Sequence, residues 1–552
     1  MRRFTRLFHD LDATSRTAEK VAALVAFFRD APTSDAAVAL AMLSGRRQRR
    51  GVTTTLLRAW AAEEAGLPDW LLEESYAAVG DLAETLALVL PPGDDTSEPL
   101  GLAEMMAGTI EPLAAASVEE KREIIRAAWR RLRPEEMVVW HKLITGGFRV
   151  GVARTLVARA LAEIAGVDAA TMAHRLMGLS TITPEVYQAV LKSDSAGDDP
   201  TRPYPFFLAS PLEGGVESLG DVRDWCAEWK WDGMRAQLLR RGAVRVLWTR
   251  GEELATEAFP ELMAAADQLP DGTAVDGEVL AYDGHALLGF QSLSRRAGRR
   301  SVSAKMMREI PCVFVAYDLL EADGIDLRER PLAERRRLLE ALGLPCFVGQ
   351  CERPASGDPA AAAGDRLFVS PCVAAQEWND LAAARATSRG RGVEGLMLKR
   401  WQSPYRVGRP RGDWWKWKVE PLEIDAVLLY AQAGHGRRAS LYTDYTLGVW
   451  EGDTLVPVAK AYSGLTDAEI AEVDRVIRQT TRERHGPVRV VEPTLVFQLA
   501  FDGIAASSRH KSGVAMRFPR IARWRRDKQP AEAGRLEDLR ALLSPAVEGG
   551  SS

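Results

Sequence analysis

From residue 1 to about 190, apolar positions recur at helical spacing. Val21, Leu24, Val25 and Phe28 form one such stripe, and Leu156, Val157, Leu161 and Ile164 another. Thr181-Ile-Thr-Pro184 reads as a helix start with proline in the first turn, and PPGDDTSEPLG (91–101) reads as a loop. The stretch 192–205, KSDSAGDDPTRPYP, has almost no apolar residues and predicts a linker. Beyond it the period changes. Short β-rich runs at 243–248, 274–282, 312–320, 395–400 and 414–420 alternate with helical stretches such as LAERRRLLEALG (332–343). From about 421, runs such as IDAVLLYAQA and RVVEPTLVFQLAF predict a mainly β domain compatible with a small barrel. The expected architecture is therefore multidomain: an all-α region over 1–198, an α+β region over 199–420 and a β-barrel over 421–552.

Composition narrows the class. With 552 residues, 46% hydrophobic and 27% charged, the chain is an ordinary globular one. No apolar run approaches the ~18 residues of a membrane span, and the N-terminus shows no signal-peptide pattern. The cysteines, Cys226, Cys312, Cys346, Cys351 and Cys372, form no CxxC, which predicts a reduced cytoplasmic protein without disulfides or zinc. The seven histidines form no pair at metal spacing, leaving an oxygen-bound magnesium or manganese ion as the expected metal. A net charge of −4 by itself argues against nucleic acid. The average hides local excess, however. Residues 289–308 hold six Lys/Arg and no acid, 399–418 seven against one acid, and 505–528 eight against one. Such stretches, with GRRQRRG (45–51) as a fourth, predict phosphate-tracking surface and steeply salt-dependent binding.

The candidate chemistry lies among these stretches. Lys230-Trp-Asp232-Gly233 is a rare tetrapeptide, whose plain alternative is a strand end with an Asp-Gly turn. Asp276 and Glu278 alternate on one strand, so both carboxylates project from one face and suit a divalent metal or ribose hydroxyls. Lys416 and Lys418 likewise share a face, opposite Trp415 and Trp417, and two lysines side by side call for an anion such as a phosphate chain.

In order, the chain carries EWKWDGMR, WTRGEE, AVDGEVLAYD, CVFVAYDLL, VEGLMLKR, WWKWK and RFPRIARWRRDK. This series resembles the motif set of the ATP-dependent DNA ligases, within the covalent nucleotidyltransferase superfamily. KLITGGFRVGVA (142–153) resembles the DNA-binding domain of the larger archaeal and eukaryotic ligases, here in a chain of bacterial composition. The resemblance implies a helical DNA-binding domain, an adenylation domain and a C-terminal OB-fold, in a monomer that encircles nicked duplex DNA. It implies ATP as AMP donor, with Mg2+ or Mn2+. Lys230 would carry AMP as a phosphoramidate. Free lysine titrates near 10.4, so burial or neighbouring cations must make such a nucleophile available. Glu228 would accept from the adenine amino group, and Arg235 would contact ribose. Arg250 would lie at the phosphates, and Glu278 at the ribose or the metal. Tyr317 would stack on adenine, Glu394 would hold metal, Lys416 would contact the α-phosphate with Lys418 assisting, and Asp232 would support the nucleophile. Where the family often has arginine six residues before the first lysine of WxKxK, this chain has Pro410, flanked by Arg409 and Arg411. Phe290 and Phe518 match positions that press into the minor groove beside a nick, with core packing as the competing reading. Arg517, Arg520, Arg523, Arg525 and Lys528 would close over ATP and orient pyrophosphate, swinging on a hinge near 419–421. An RNA ligase or capping-type nucleotidyltransferase shares the lysine chemistry and is the alternative enzyme class. A catalytically inactive nucleic-acid-binding module is the alternative outside enzymology.

Overall fold

The computed structural model describes the chain except residues 45–49, 94–98, 149, 180, 193–198, 300, 350–364, 435–440, 487, 508 and 544–552. The basic cluster expected at 45–51 thus lies mostly outside the described residues, as does the 193–198 part of the predicted linker. The chain divides into two units, one comprising Met1–His9, Arg47–Val150 and Glu420–Ser552, the other Asp10–Arg46 and Gly151–Val419. No helix among the described residues is long and apolar enough to cross a membrane.

The N-terminal region is helical. Val21, Leu24, Val25 and Phe28 are buried on the helix Thr17–Asp30, which packs against the helix Arg154–Ala165, where Val157 and Leu161 are buried. Thr183 accepts from the amide of Val186 at 3.3 Å, with Pro184 as the first residue of the helix Pro184–Lys192. In the other unit, the helix Pro134–Ile144 buries Trp140 and His141, and Trp129 donates its indole N–H to His141 at 2.8 Å. Lys142 is spent on Asp81 at 2.5 Å.

Two sheets build the middle region. The first comprises β1 (Ser210–Pro211), β2 (Trp225–Trp231), β9 (Val393–Arg400) and β10 (Trp414–Lys418), in the order β1-β10-β9-β2. The second comprises β3 (Met234–Arg241), β4 (Val244–Thr249), β5 (Thr273–Ala281), β6 (Cys312–Ala322) and β7 (Ile325–Asp326), ordered β4-β3-β5-β6-β7, with β8 (Leu367–Val369) added in parallel to β6. The turn between β2 and β3, at Asp232-Gly233, carries the chain from one sheet to the other. A Cβ on Gly233 would lie 2.3 Å from the carbonyl oxygen of Val279, so only glycine lets the turn pass this close to β5. The predicted linker ends early. Tyr204 is buried and exchanges two 2.8 Å hydrogen bonds with the side-chain amide of Gln237, while its hydroxyl donates to Glu321 at 2.7 Å. An aromatic ring with a reciprocal amide partner outweighs the loop-like composition around it.

The C-terminal region contains β11 (Leu422–Ala433), β12 (Tyr442–Glu451), β13 (Thr454–Ala461), β14 (Thr481–His485), β15 (Val488–Val491), β16 (Val496–Phe501), β17 (Gly503–Ala506), β18 (Val514–Arg517) and β19 (Arg520–Trp524). β11 is the hub. One edge pairs with β12, and the other is shared by β16 along its first half and β15 along its second. The sequence reading missed the helix Asp467–Thr480 here. Its capping box, Thr466 with Glu469, and its buried stripe of Ile470, Val473 and Ile477 are nonetheless written in the sequence.

Candidate active site

Strands from both sheets converge on a cavity of about 140 Å³ lined by Glu228, Lys230, Arg235, Arg250, Glu278 and Tyr317, among others. Lys230 leaves β2 just before the Asp-Gly turn. Its Nζ lies 2.5 Å from a carboxylate oxygen of Glu394, and the same oxygen is 3.3 Å from Nζ of Lys418. Glu394 is the second residue of β9 and is held there by close backbone approach. Gly395, next to it, has φ +132°, and a Cβ on it would lie 2.4 Å from the carbonyl oxygen of Trp417.

On β10 the predicted alternation is present. Lys416 lines the cavity, while Trp415 and Trp417 pack against the apolar cluster of Val216, Trp225, Leu396 and Leu398 on the far face. Burial lowers the ammonium pKa of Lys416, and Arg409, Lys230, Lys418 and Arg250 lower it further. That crowding of cations is unfavourable without an anion among them. The two arginines that flank Pro410 are placed differently. Arg409 lines the cavity, whereas Arg411 points to Glu213 at 3.5 Å on an exposed surface.

Asp276 and Glu278 share a face of β5 but have different surroundings. Asp276 is buried and takes a bidentate pair from Arg235 (3.1 and 2.6 Å) and a 2.6 Å hydrogen bond from the Tyr405 hydroxyl. Arg235 also donates to the carbonyl of Phe207 at 2.6 Å, so most of its guanidinium is committed to the wall. Glu278 faces the cavity. Burial pushes its carboxyl up to about 8, with Asp276 and Glu394 adding to the effect against Lys230 and Arg235. Glu278, which lines the cavity, and Glu394, which meets Lys230 and Lys418 through one and the same oxygen, offer the hard oxygen donors that a magnesium or manganese ion takes.

Glu228 is buried and held from both sides. Arg336, from the helix Leu332–Glu340, donates to one oxygen at 2.7 Å, and Nζ of Lys399 lies 2.5 Å from the other. Lys399, only 2% exposed, also stands 4.2 Å from the ring centroid of Tyr317 and 4.6 Å from that of Trp414. Lys399, Trp414 and Arg336 are site residues that the sequence reading did not single out. The trace of Lys399 was a charge at the inward end of the apolar run GLML, where a solvated lysine has no place.

The remaining expected residues are not among those that line this cavity. Phe290, on the helix Gly289–Ala297, is 37% exposed. Phe518 is 61% exposed with φ +52°, left-handed backbone that a bulky residue adopts at a cost. Of the C-terminal cations, Arg525 pairs with Asp425 and Asp527, Lys528 with Asp425 at 2.6 Å, and Arg520 with Asp502 at 2.8 Å. Arg517 stacks over the Phe518 ring at 5.2 Å, and Arg523 is exposed on β19. The basic stretches are thus less uniformly phosphate-facing than their sequence suggests. Arg296 is fully buried against Glu261 (2.6 and 2.8 Å), and Arg526 pairs bidentately with Glu472. Acids distant in sequence neutralise cations that look unopposed along the chain.

Three family models match: "DNA ligase N terminus" over residues 1–162, "ATP dependent DNA ligase domain" over 207–418, and "ATP dependent DNA ligase C terminal region" over 438–528. A "Probable DNA ligase" of Koribacter versatilis is 34% identical over 542 residues, covering 95% of this chain and 93% of that protein. A "DNA ligase" of Thermococcus fumicolans is 27% identical over 560 residues, 97% of each. The solved structure named Pmar-Lig_Pre shares the fold, with a TM-score of 0.62 at 14% identity over 95% of this chain and 99% of that one. With matches spanning the helical, nucleotide-binding and C-terminal β regions alike, the chain belongs to the ATP-dependent DNA ligases, enzymes that use ATP to join DNA.

Proposed function

We propose that this ligase seals nicks in duplex DNA through a lysyl-AMP intermediate on Lys230, and that residues 199–420 are its adenylation domain. The observation that carries this reading is the position of Lys230. Its Nζ sits on Glu394 at 2.5 Å, and it lines a cavity that Lys416, Arg409 and Arg250 line as well. The cations fit a triphosphate and the lysine faces its α-phosphorus. In the first step Nζ attacks that phosphorus, an N–P bond forms, the α–β bridging P–O bond breaks, and pyrophosphate leaves. The lysine loses a proton, for which Glu394 is placed to be the acceptor. Lys416 steadies the α-phosphate and Lys418 assists. Arg250 and Arg409 take the remaining phosphate charge. Glu278 and Glu394 would hold a magnesium or manganese ion, which would add to the neutralisation of phosphate charge.

Adenine lies between Tyr317 and Met397, both of which line the cavity. Glu228 accepts from its amino group and Lys399 donates to the adjacent ring nitrogen, an acceptor–donor pair that guanine reverses. Arg235, fixed by Asp276, turns its remaining N–H toward the ribose. AMP then passes to the 5′-phosphate of the nick, and the 3′-hydroxyl displaces it to form the phosphodiester.

Residues 1–198 serve as the DNA-binding domain and 421–552 as an OB-fold, in a monomer that surrounds the duplex. The bulged, doubly shared β11 supports the barrel reading, since bulges of this kind let a sheet curl. Phe290 and Phe518 act as wedges in the minor groove. An exposed phenylalanine held at positive φ repays its backbone strain through a ligand rather than a core. Arg517, Arg520, Arg523, Arg525 and Lys528 assist pyrophosphate release after a swing near Val419-Glu420-Pro421. The test is incubation with α-labelled ATP and magnesium, followed by nicked DNA. Label should attach to the wild type, survive denaturation and leave on addition of the nick, while Lys230→Ala takes up none. Equal labelling of Lys230→Ala would overturn the assignment.

A further inference from the structure

Beside Glu228 and Lys399, which line the cavity, lies a thiol pair far apart in sequence. Sγ of Cys226, on β2, lies 3.2 Å from Sγ of Cys372, which follows β8. Backbone pairing fixes the two segments side by side. Glu228 forms a β-bridge with Cys372, and the amide of Val373 donates to the carbonyl of Ala227 at 2.7 Å. Both thiols are free, Cys226 buried and Cys372 exposed. Cys226 is also the register partner of Lys399 on β9. The pair therefore lies next to Glu228 and Lys399, on the strand face that carries them.

We propose that Cys226 and Cys372 are an oxidation site that closes to a disulfide with hydroperoxides, and that closure slows self-adenylylation. The two thiols are differentiated for this role. A hydrogen bond from Cys226 lowers the pKa of the exposed Cys372 thiol, against burial and Glu228, with Arg336 and Lys399 contributing in the same direction as the hydrogen bond. The same hydrogen bond and then burial keep Cys226 protonated. Cys372 is thus the attacking thiolate and Cys226 the resolving thiol. The Cys372 thiolate attacks a peroxide oxygen, the O–O bond breaks, and with hydrogen peroxide the leaving hydroxide takes a proton to become water. Cys226 then attacks the resulting sulfenic acid. An S–S bond forms, the S–O bond breaks, and a second water carries away the Cys226 proton. Two electrons pass from the sulfurs to the peroxide. A thiol reductant reverses the change by exchange.

A metal is the other possible occupant, since Cys226, Glu228 and Cys372 bring ligand atoms within 4.8 Å of one another. The two carboxylate oxygens of Glu228 already face Arg336 and Lys399, so a cation there would meet two cations. Bond closure needs the sulfurs to approach from 3.2 Å to about 2.05 Å. That movement of about 1 Å is delivered to a segment bridged to Glu228, and a displacement of this size in a positioning group can cost up to about 100-fold in rate. The effect on rate rests on the adenine-contacting role given to Glu228, whereas the bond itself does not.

The experiment treats the reduced full-length protein with hydrogen peroxide, maps peptides without reduction, and measures AMP labelling before, after, and after added dithiothreitol. A Cys226–Cys372 linked peptide, at least tenfold slower labelling and recovery on reduction are expected. Cys372→Ser should label at the wild-type rate and lose the peroxide response, and Cys346→Ser should keep it. Absence of the linked peptide, or zinc retained by the thiols in its place, overturns the site. A linked peptide with unchanged labelling overturns the coupling. Failure of the reduced wild type to label would instead count against the assigned adenylation chemistry.

Discussion

Lys399→Met isolates the contribution of a buried cation to nucleotide recognition. The replacement keeps the length and apolar stem of the side chain, so it opens no large cavity between Tyr317 and Trp414. It removes the ammonium 2.5 Å from Glu228 and the donor to the adenine ring nitrogen. Glu228 keeps Arg336 at 2.7 Å, so the loss of stability should fall below the about 3–5 kcal/mol of an orphaned buried charge. The recognition loss is that of one charged hydrogen bond, about 1.5–3 kcal/mol, or about 10- to 150-fold in kcat/KM for the labelling step. Initial rates of AMP incorporation across a range of ATP and GTP concentrations measure it. KM for ATP should rise more than kcat falls, and the preference for ATP over GTP should shrink. A lowered thermal midpoint with unchanged KM and unchanged ATP preference would show that Lys399 only ties the sheet together.

Arg296→Ala should lower stability by about 3 kcal/mol or more, because it strands Glu261 against the core. It should leave the salt dependence of DNA binding unchanged, whereas Arg295→Ala and Arg299→Ala should reduce the salt slope and leave the midpoint alone, as titrations on nicked duplex would show. Phe518→Gly relieves a positive φ, so its thermal midpoint should hold or rise; it should slow nick sealing several-fold while AMP labelling stays at the wild-type rate. Burial, then Arg328 and Arg202, lowers the His174 imidazole to about 4 in the folded state. As pH falls the unfolded chain takes up this proton first, so up to about 3 kcal/mol is lost between pH 6.5 and 4. His174→Phe, which keeps a ring against Tyr204, should flatten that part of the thermal-midpoint profile.

Local periodicity carried much of the fold. The helix Thr17–Asp30 and the alternating strand Trp414–Lys418 follow from spacing, because one face of each is buried. The helix Asp467–Thr480 was equally legible but was obscured by the strands around it. What spacing does not carry is pairing across the chain. Asp276 and Glu278 look equivalent in sequence, yet Asp276 is claimed by Arg235 and Tyr405 and only Glu278 is left for the cavity. Arg335 and Arg336 read as ordinary helix arginines, but Asp318 and Glu228 draw them into the interior. The basic stretch 505–528 loses much of its charge to Asp425, Glu472 and Asp502, none of which lies within it.

The chemistry centres on one nitrogen. The most direct measurement is the location of AMP on the protein after incubation with ATP and magnesium, by proteolysis and peptide sequencing under alkaline conditions that preserve a phosphoramidate. AMP should be found on Lys230 alone, in the peptide containing Glu228-Trp-Lys230-Trp-Asp232-Gly233. AMP on Lys399, Lys416 or Lys418, or on any residue outside the cavity, would contradict the account.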